Sequence, residues 1–208
     1  MNVVFMGTPE FAVPSLKCLI ESKHDVVAVI TQTDKPKGRK GKPEAPPVKN
    51  IALDAGLQVI QPENVNSEQI IEKLEKLNPD VIVVVAFGQK ISDRILDLPK
   101  HKCVNIHASL LPKYRGAAPI NWAVVNGEKE TGITTIIMSN KMDAGDVIIR
   151  KSLTIGPEET AGELGNRLSY LGAETLLDSL IQIETGDAKY TQQDESLVSL
   201  APKIKKND

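Results

Sequence analysis

The 208-residue chain is 41% hydrophobic and 25% charged, with 3% aromatic residues and a formal net charge of −2. This is ordinary globular composition, long enough for a buried core; it argues against a base-stacking platform and against a surface that binds phosphate everywhere. Cys18 and Cys103 lie in apolar stretches without metal spacing, no apolar run has the length of a membrane span, and the N-terminus shows no basic, cleavable leader. The expectation is a soluble cytoplasmic protein with reduced thiols, no membrane contact and no metal, acting as a monomer.

The chain opens as alternating strand and helix. Val3–Met6 is a short apolar run ending at Gly7, and Thr8 reads as an N-cap with Pro9 at the first helical position. Asp25–Thr31 reads as a second strand, Val48–Ala55 as a helix closed by Gly56, and Leu57–Ile60 as a third strand. Ser67–Leu77 has the helical period, Val81–Val85 is an almost pure β-branched run, and Lys102–His107 is the next strand. Continuous apolar strands separated by helices predict an open, mainly parallel twisted α/β sheet with helices on both faces. Thr131–Ser139 and Asp146–Thr154 form a hairpin. A capping box at Thr160–Glu163 starts a long helix that stops at Gly186. Residues 1–188 make one domain. The polar tail 189–208 lacks a closing element and reads as a frayed end or as the start of a linker.

Residues 33–49 stand apart. Lys35, Lys37, Arg39, Lys40, Lys42 and Lys49 oppose only Asp34 and Glu44, among four prolines and two glycines. This predicts a long structureless basic loop, either a solvated surface loop or a mobile segment that grips a polyanion.

Dinucleotide (G-x-G-x-x-G), Walker and G-x-S-x-G signatures are absent from the sequence, as is a Cys/His cluster. The positive signal is the stretch from Cys103 to Pro112. Alternate strand residues share a face, so Asn105 and His107 point the same way at the carboxyl end of a strand, where open α/β sheets bind ligands. Two readings stand: polar groups that satisfy neighbouring backbone, or groups that act on a ligand. Asp143, in the Asn140–Asp146 turn, reads by itself as turn chemistry.

Asn105-x-His107 followed by Ser109-Leu110-Leu111-Pro112-Lys113-Tyr114-Arg115-Gly116-Ala117-Ala118-Pro119-Ile120 resembles the signature of folate-dependent formyltransferases, and Asp143-Ala144-Gly145-Asp146 resembles that family's Asp-x-Gly-Asp segment. Phe5–Ala12 and the basic loop resemble the branch of the family that formylates initiator Met-tRNA. The resemblance runs over essentially the whole chain. It implies a Rossmann-like formyltransferase fold and 10-formyltetrahydrofolate as formyl donor. It also implies Asn105, His107 and Asp143 as catalytic residues, with donor contacts from Ser109, Leu110, Leu111 and Pro112 and from the backbone around Phe87, Gly88, Gln89 and Lys90. Arg39, with Lys37, Lys40 and Lys42, is the implied tRNA contact. The branch carries a further C-terminal tRNA-binding domain, and the polar tail would lead into it. Two alternatives stay open: a small amine acceptor, such as an amino-sugar nucleotide or glycinamide ribonucleotide, and an inactive folate- or RNA-binding module. Lys113 and Arg115 read equally as surface charges or as functional groups.

Overall fold

A computed structural model describes residues 1–37 and 41–205. Nine strands are described: β1 (Asn2–Gly7), β2 (Asp25–Ile30), β3 (Lys35–Lys37), β4 (Lys42–Glu44), β5 (Val59–Ile60), β6 (Val81–Val85), β7 (Cys103–His107), β8 (Glu130–Ile137) and β9 (Val147–Thr154). Seven of them form one sheet in the order β5-β2-β1-β6-β7-β8-β9, and β3 and β4 form a separate ribbon. The chain divides into two compact units, Met1–Val104 and Asn105–Asp208.

In the first unit β1 runs parallel to both β2 and β6, and β2 parallel to β5. Val3, Val4 and Phe5 of β1 and Val81, Ile82, Val83 and Val85 of β6 have no exposed surface. A strand covered on both faces has no polar side to present, which is why these runs do not alternate. The intervening helices are α1 (Val13–Ile20), α2 (Pro47–Asp54), α3 (Glu68–Leu77) and α4 (Asp93–Leu96). Burial pushes the Cys103 thiol up to about 12, as fits a reduced core residue.

Two expectations fail here. Thr8 does not cap a helix: a short 3-10 turn spans Glu10–Ala12, α1 begins at Val13 with proline in its first turn, and the Thr8 hydroxyl donates to the Phe87 carbonyl at 2.9 Å. The basic segment is also not structureless. β3 and β4 pair antiparallel, with Lys35 opposite Glu44 and Pro36 opposite Pro43. A two-strand ribbon consists of edges only, so proline's missing N–H removes no interior ladder bond.

In the second unit β8 and β9 form an antiparallel hairpin, and α5 (Pro119–Val125) and α6 (Ala161–Thr185) complete the frame. The α6 capping box is formed: Thr160 Oγ1 accepts from Glu163 N, and the Glu163 carboxylate accepts from Thr160 N. Thr160→Ala is expected to cost about 1 kcal/mol, read as a lower midpoint in chemical denaturation with an unchanged slope. Helix α6 packs on β8 and β9, and at Gly172 an added Cβ would lie 3.2 Å from Ile106 Cγ2. Ile106 therefore faces this helix, and its strand neighbours Asn105 and His107 face away from it.

The tail carries more structure than its polarity foretold. Thr191 and Val147 exchange both backbone hydrogen bonds, Leu200 bridges Arg115, and Ala201 is fully buried. No helix among the described residues is long and apolar enough to cross a membrane.

Candidate functional site

Strand β7 ends at His107, and the chain then turns through a short loop stitched by Thr134 of β8. The Thr134 hydroxyl donates to the Ser109 carbonyl at 2.6 Å and accepts from Leu111 N at 3.0 Å. Ser109 Oγ donates to the Lys113 carbonyl at 2.6 Å, and Arg150 Nε to the Leu111 carbonyl at 2.7 Å. Leu111 is buried with Ile136 and Val147. Of the four residues from Ser109 to Pro112, only Leu110 keeps a partly exposed side chain.

His107 is 5% exposed, and its two ring nitrogens have different surroundings. Nε2 lies 2.8 Å from the carbonyl of Tyr114, a residue held at φ 61°. A carbonyl only accepts, so Nε2 carries a proton and donates it. Nδ1 lies 3.6 Å from Asp143 Oδ2. Nδ1, the nitrogen that faces Asp143, is then the one left free to exchange a proton. Asp143 sits at φ 49°, a left-handed position that Asp tolerates, and its Oδ2 also accepts from Gly116 N at 2.9 Å. Gly116 itself has φ 129°, and a Cβ there would lie 2.6 Å from the Ala201 carbonyl, so only glycine fits.

Asn105 is half-buried, and no hydrogen bond holds its side-chain amide among the described residues. Asn105, His107 and Asp143 thus give an unspent amide donor and a histidine–carboxylate pair, all within the second unit. Such a set can stabilise a developing negative charge and move one proton.

The partners of several neighbours were not legible in the sequence. Tyr114 contributes only its carbonyl; its phenol donates to Glu128 at 2.6 Å, and burial followed by that bond raises it above its ordinary range. Arg115 is not a surface charge: it is 7% exposed and bonded to Gln193 and Glu195. Gln193, 5% exposed, donates to the carbonyls of Asp143 and Gly145.

In the first unit, the Phe87 carbonyl accepts from Thr8 Oγ1 and from Gln32 Nε2, each at 2.9 Å. Gly88 has φ 84°, and a Cβ there would fall 2.2 Å from Gln32 Nε2. The Gln89 amide accepts from Val65 N and donates to the Pro62 carbonyl, so its side chain fastens the loop. Lys90 is exposed, and its carbonyl accepts from Asn66. Lys37 and Lys42 end the paired part of the β3–β4 ribbon. Arg39 and Lys40 lie outside the described residues. Lys49 belongs to α2 and pairs with Asp34 at 2.8 Å, and Lys35 donates to Gln32 Oε1.

The family model described as formyl transferase matches residues 1–180. The chain is similar to the methionyl-tRNA formyltransferase of Geobacter metallireducens, with 51% identity over 208 residues, covering 100% of this chain and 67% of that protein. It is also similar to that of Moorella thermoacetica, with 53% identity over 205 residues, covering 99% and 66%. The chain spans about two thirds of the length of the curated relatives it matches. Among solved structures, the phosphoribosylglycinamide formyltransferase of Anaplasma phagocytophilum superposes with TM-score 0.75 at 20% identity, covering 98% of this chain and 99% of that one. WlaRD, a sugar 3N-formyl transferase solved in the presence of dTDP and 5-N-formyl-THF, gives TM-score 0.71 at 22% identity, covering 97% and 69%. At these identities the two structures speak to the fold, the mainly parallel α/β sheet expected from the strand pattern.

Proposed function

The chain belongs to the formyl transferase family, and on that premise we propose that it transfers a formyl group from 10-formyltetrahydrofolate to the methionyl amine of charged initiator tRNA, in the cytoplasm. The observation that carries this reading is the set built from β7 and the 143–146 turn: the free Asn105 amide and the His107 ring on one strand face, with Asp143 3.6 Å from Nδ1. Relatives about 50% identical carry the methionyl-tRNA name, which favours that acceptor.

The donor supplies an activated formyl carbon. The amine nitrogen bonds to it, its bond to N10 breaks, and one proton passes from the amine to the departing nitrogen. Asn105 donates its amide N–H to the carbonyl oxygen as negative charge develops there. His107 carries the mobile proton on Nδ1, since Nε2 is committed to Tyr114. Asp143 keeps that ring oriented and balances its positive form. Its Oδ2 is shared with Gly116 N–H, which leaves Oδ1 to take the amine's proton through a water. Donor contacts are proposed from Leu110, beside the buried Ser109, Leu111 and Pro112, and from the backbone at Phe87, Gly88, Gln89 and Lys90. The spent Gln89 amide agrees with backbone rather than side-chain contact there. Residues 1–188 form the catalytic part in this reading, acting as a monomer, and the 33–49 segment meets the tRNA.

The test is formyl transfer from 10-formyltetrahydrofolate to charged initiator tRNA, with charged elongator methionine tRNA beside it. Transfer to the initiator alone supports the assignment. Transfer only to an amino-sugar nucleotide or glycinamide ribonucleotide would replace the acceptor, and no transfer to any amine would remove the activity.

Removal of Arg39 tests the basic segment. A guanidinium fork suits phosphate and base edges, so Arg39→Ala is expected to weaken tRNA binding and to reduce the salt slope of log K by about one. Unchanged binding across a salt titration would reject the contact.

A further inference from the structure

Two loops flank the His107–Asp143 pair within the second unit. Residues 114–116 supply the carbonyl that holds His107 Nε2 and the N–H that holds Asp143 Oδ2. Residues 143–145 carry Asp143 itself. One side chain, from neither loop, joins them. Gln193 Nε2 donates to the carbonyls of Asp143 and Gly145, each at 2.8 Å, and Gln193 Oε1 accepts from Arg115 Nη2 at 2.9 Å and Nε at 3.1 Å. Arg115 Nη2 and Nη1 also donate to the Glu195 carboxylate.

The chemistry of this junction specifies the residue. It needs two N–H donors for two carbonyls and an acceptor for a guanidinium, all on one buried side chain of this length. Only an amide has both. Glutamate would keep the acceptor and lose the donors, and lysine or arginine would do the reverse. The backbone on either side is fixed as well: Thr191 is bonded to Val147, and Ser199 and Ala201 to Arg115. The segment therefore delivers Gln193 as a rigid tie between the two loops.

We infer that Gln193 is a positioning residue for formyl transfer, fixing the Asp143 carboxylate against His107 Nδ1 by holding the 143–145 backbone to Arg115. This rests on the reading of Asp143 and His107 given above. Its action runs through Asp143, which a merely structural residue's would not.

The experiment is a double-mutant cycle on the whole chain, measured as single-turnover formyl transfer to charged initiator tRNA, with KM and Tm alongside. Gln193→Ala is expected to lower the rate about 10- to 100-fold with KM nearly unchanged, the size of effect that a misplacement of about 1 Å produces. In an Asp143→Ala background the same change should cost less than about twofold, because the group it positions is gone. Gln193→Glu should lose as much as Gln193→Ala, and it carries the comparison if the alanine variant is unfolded at the assay temperature. A full-sized loss persisting in the Asp143→Ala background would overturn the inference, as would parental activity in Gln193→Glu. If Asp143→Ala is inactive while both Gln193 variants match the parent, the inference alone falls. If Asp143→Ala keeps parental activity, the catalytic reading of Asp143 falls and takes this inference with it.

Discussion

Replacing His107 with alanine is expected to lower kcat for formyl transfer by about 100- to 10,000-fold, the range that general acid–base groups contribute. The geometry explains why no neighbour can substitute. The ring is almost fully buried, one nitrogen is committed to the Tyr114 carbonyl, and the other is the one that faces Asp143. Nothing in the side chain is spare, so the loss should appear in turnover. The donor's KM should hold, because the 109–112 loop is fastened by Thr134 and Arg150 independently of His107. Steady-state kinetics at saturating donor checks this. A variant within tenfold of the parent would sink the assignment of proton transfer to this ring.

The second large effect belongs to Asn105. Asn105→Ala should cost about 100- to 1,000-fold in kcat, the loss seen when one oxyanion donor is removed. Its stability signature should be nearly silent. No hydrogen bond holds the amide among the described residues, so truncation breaks none in the folded state. A structural asparagine would behave in the opposite way, with a lowered Tm and near-normal turnover. Measuring Tm and kcat on the same preparation separates the two, and a variant that melts early yet turns over normally would remove Asn105 from the chemistry.

How far the sequence reached depends on the range of the physics involved. Strand β6, the capped start of α6 and the shared face of Asn105 and His107 were legible because each is written in neighbouring residues. The Asn105 and His107 pattern has two meanings in the sequence, and the structure adds surroundings that no local pattern holds: one amide without a bond among the described residues and one ring bonded to the Tyr114 carbonyl. Asp143 lies far along the chain from His107, and no local pattern announces a contact that depends on how a hairpin returns. The β3–β4 ribbon was hidden by its prolines, which break helices and interior strands but not a two-strand edge pair. Thr8 misled for a similar reason: a good capping residue found a tertiary acceptor, the Phe87 carbonyl, instead of a helix end. Gln193 sat in a polar stretch that composition alone reads as solvent-facing, and its role follows from partners 48 to 78 positions away.

The pairing of residues 191–201 also sets an order of assembly. Ser199 reaches Tyr114 across 85 positions, and Gln193 reaches Arg115 across 78. Closing loops of that length costs entropy before any bond repays it, so such contacts form late in folding. A nascent chain emerging from the ribosome can build β7, the hairpin and α6 while the 143–145 turn beside His107 still lacks the Gln193 side chain that ties its backbone down. The surroundings of the His107–Asp143 pair are complete only once residues 191–201 have joined them.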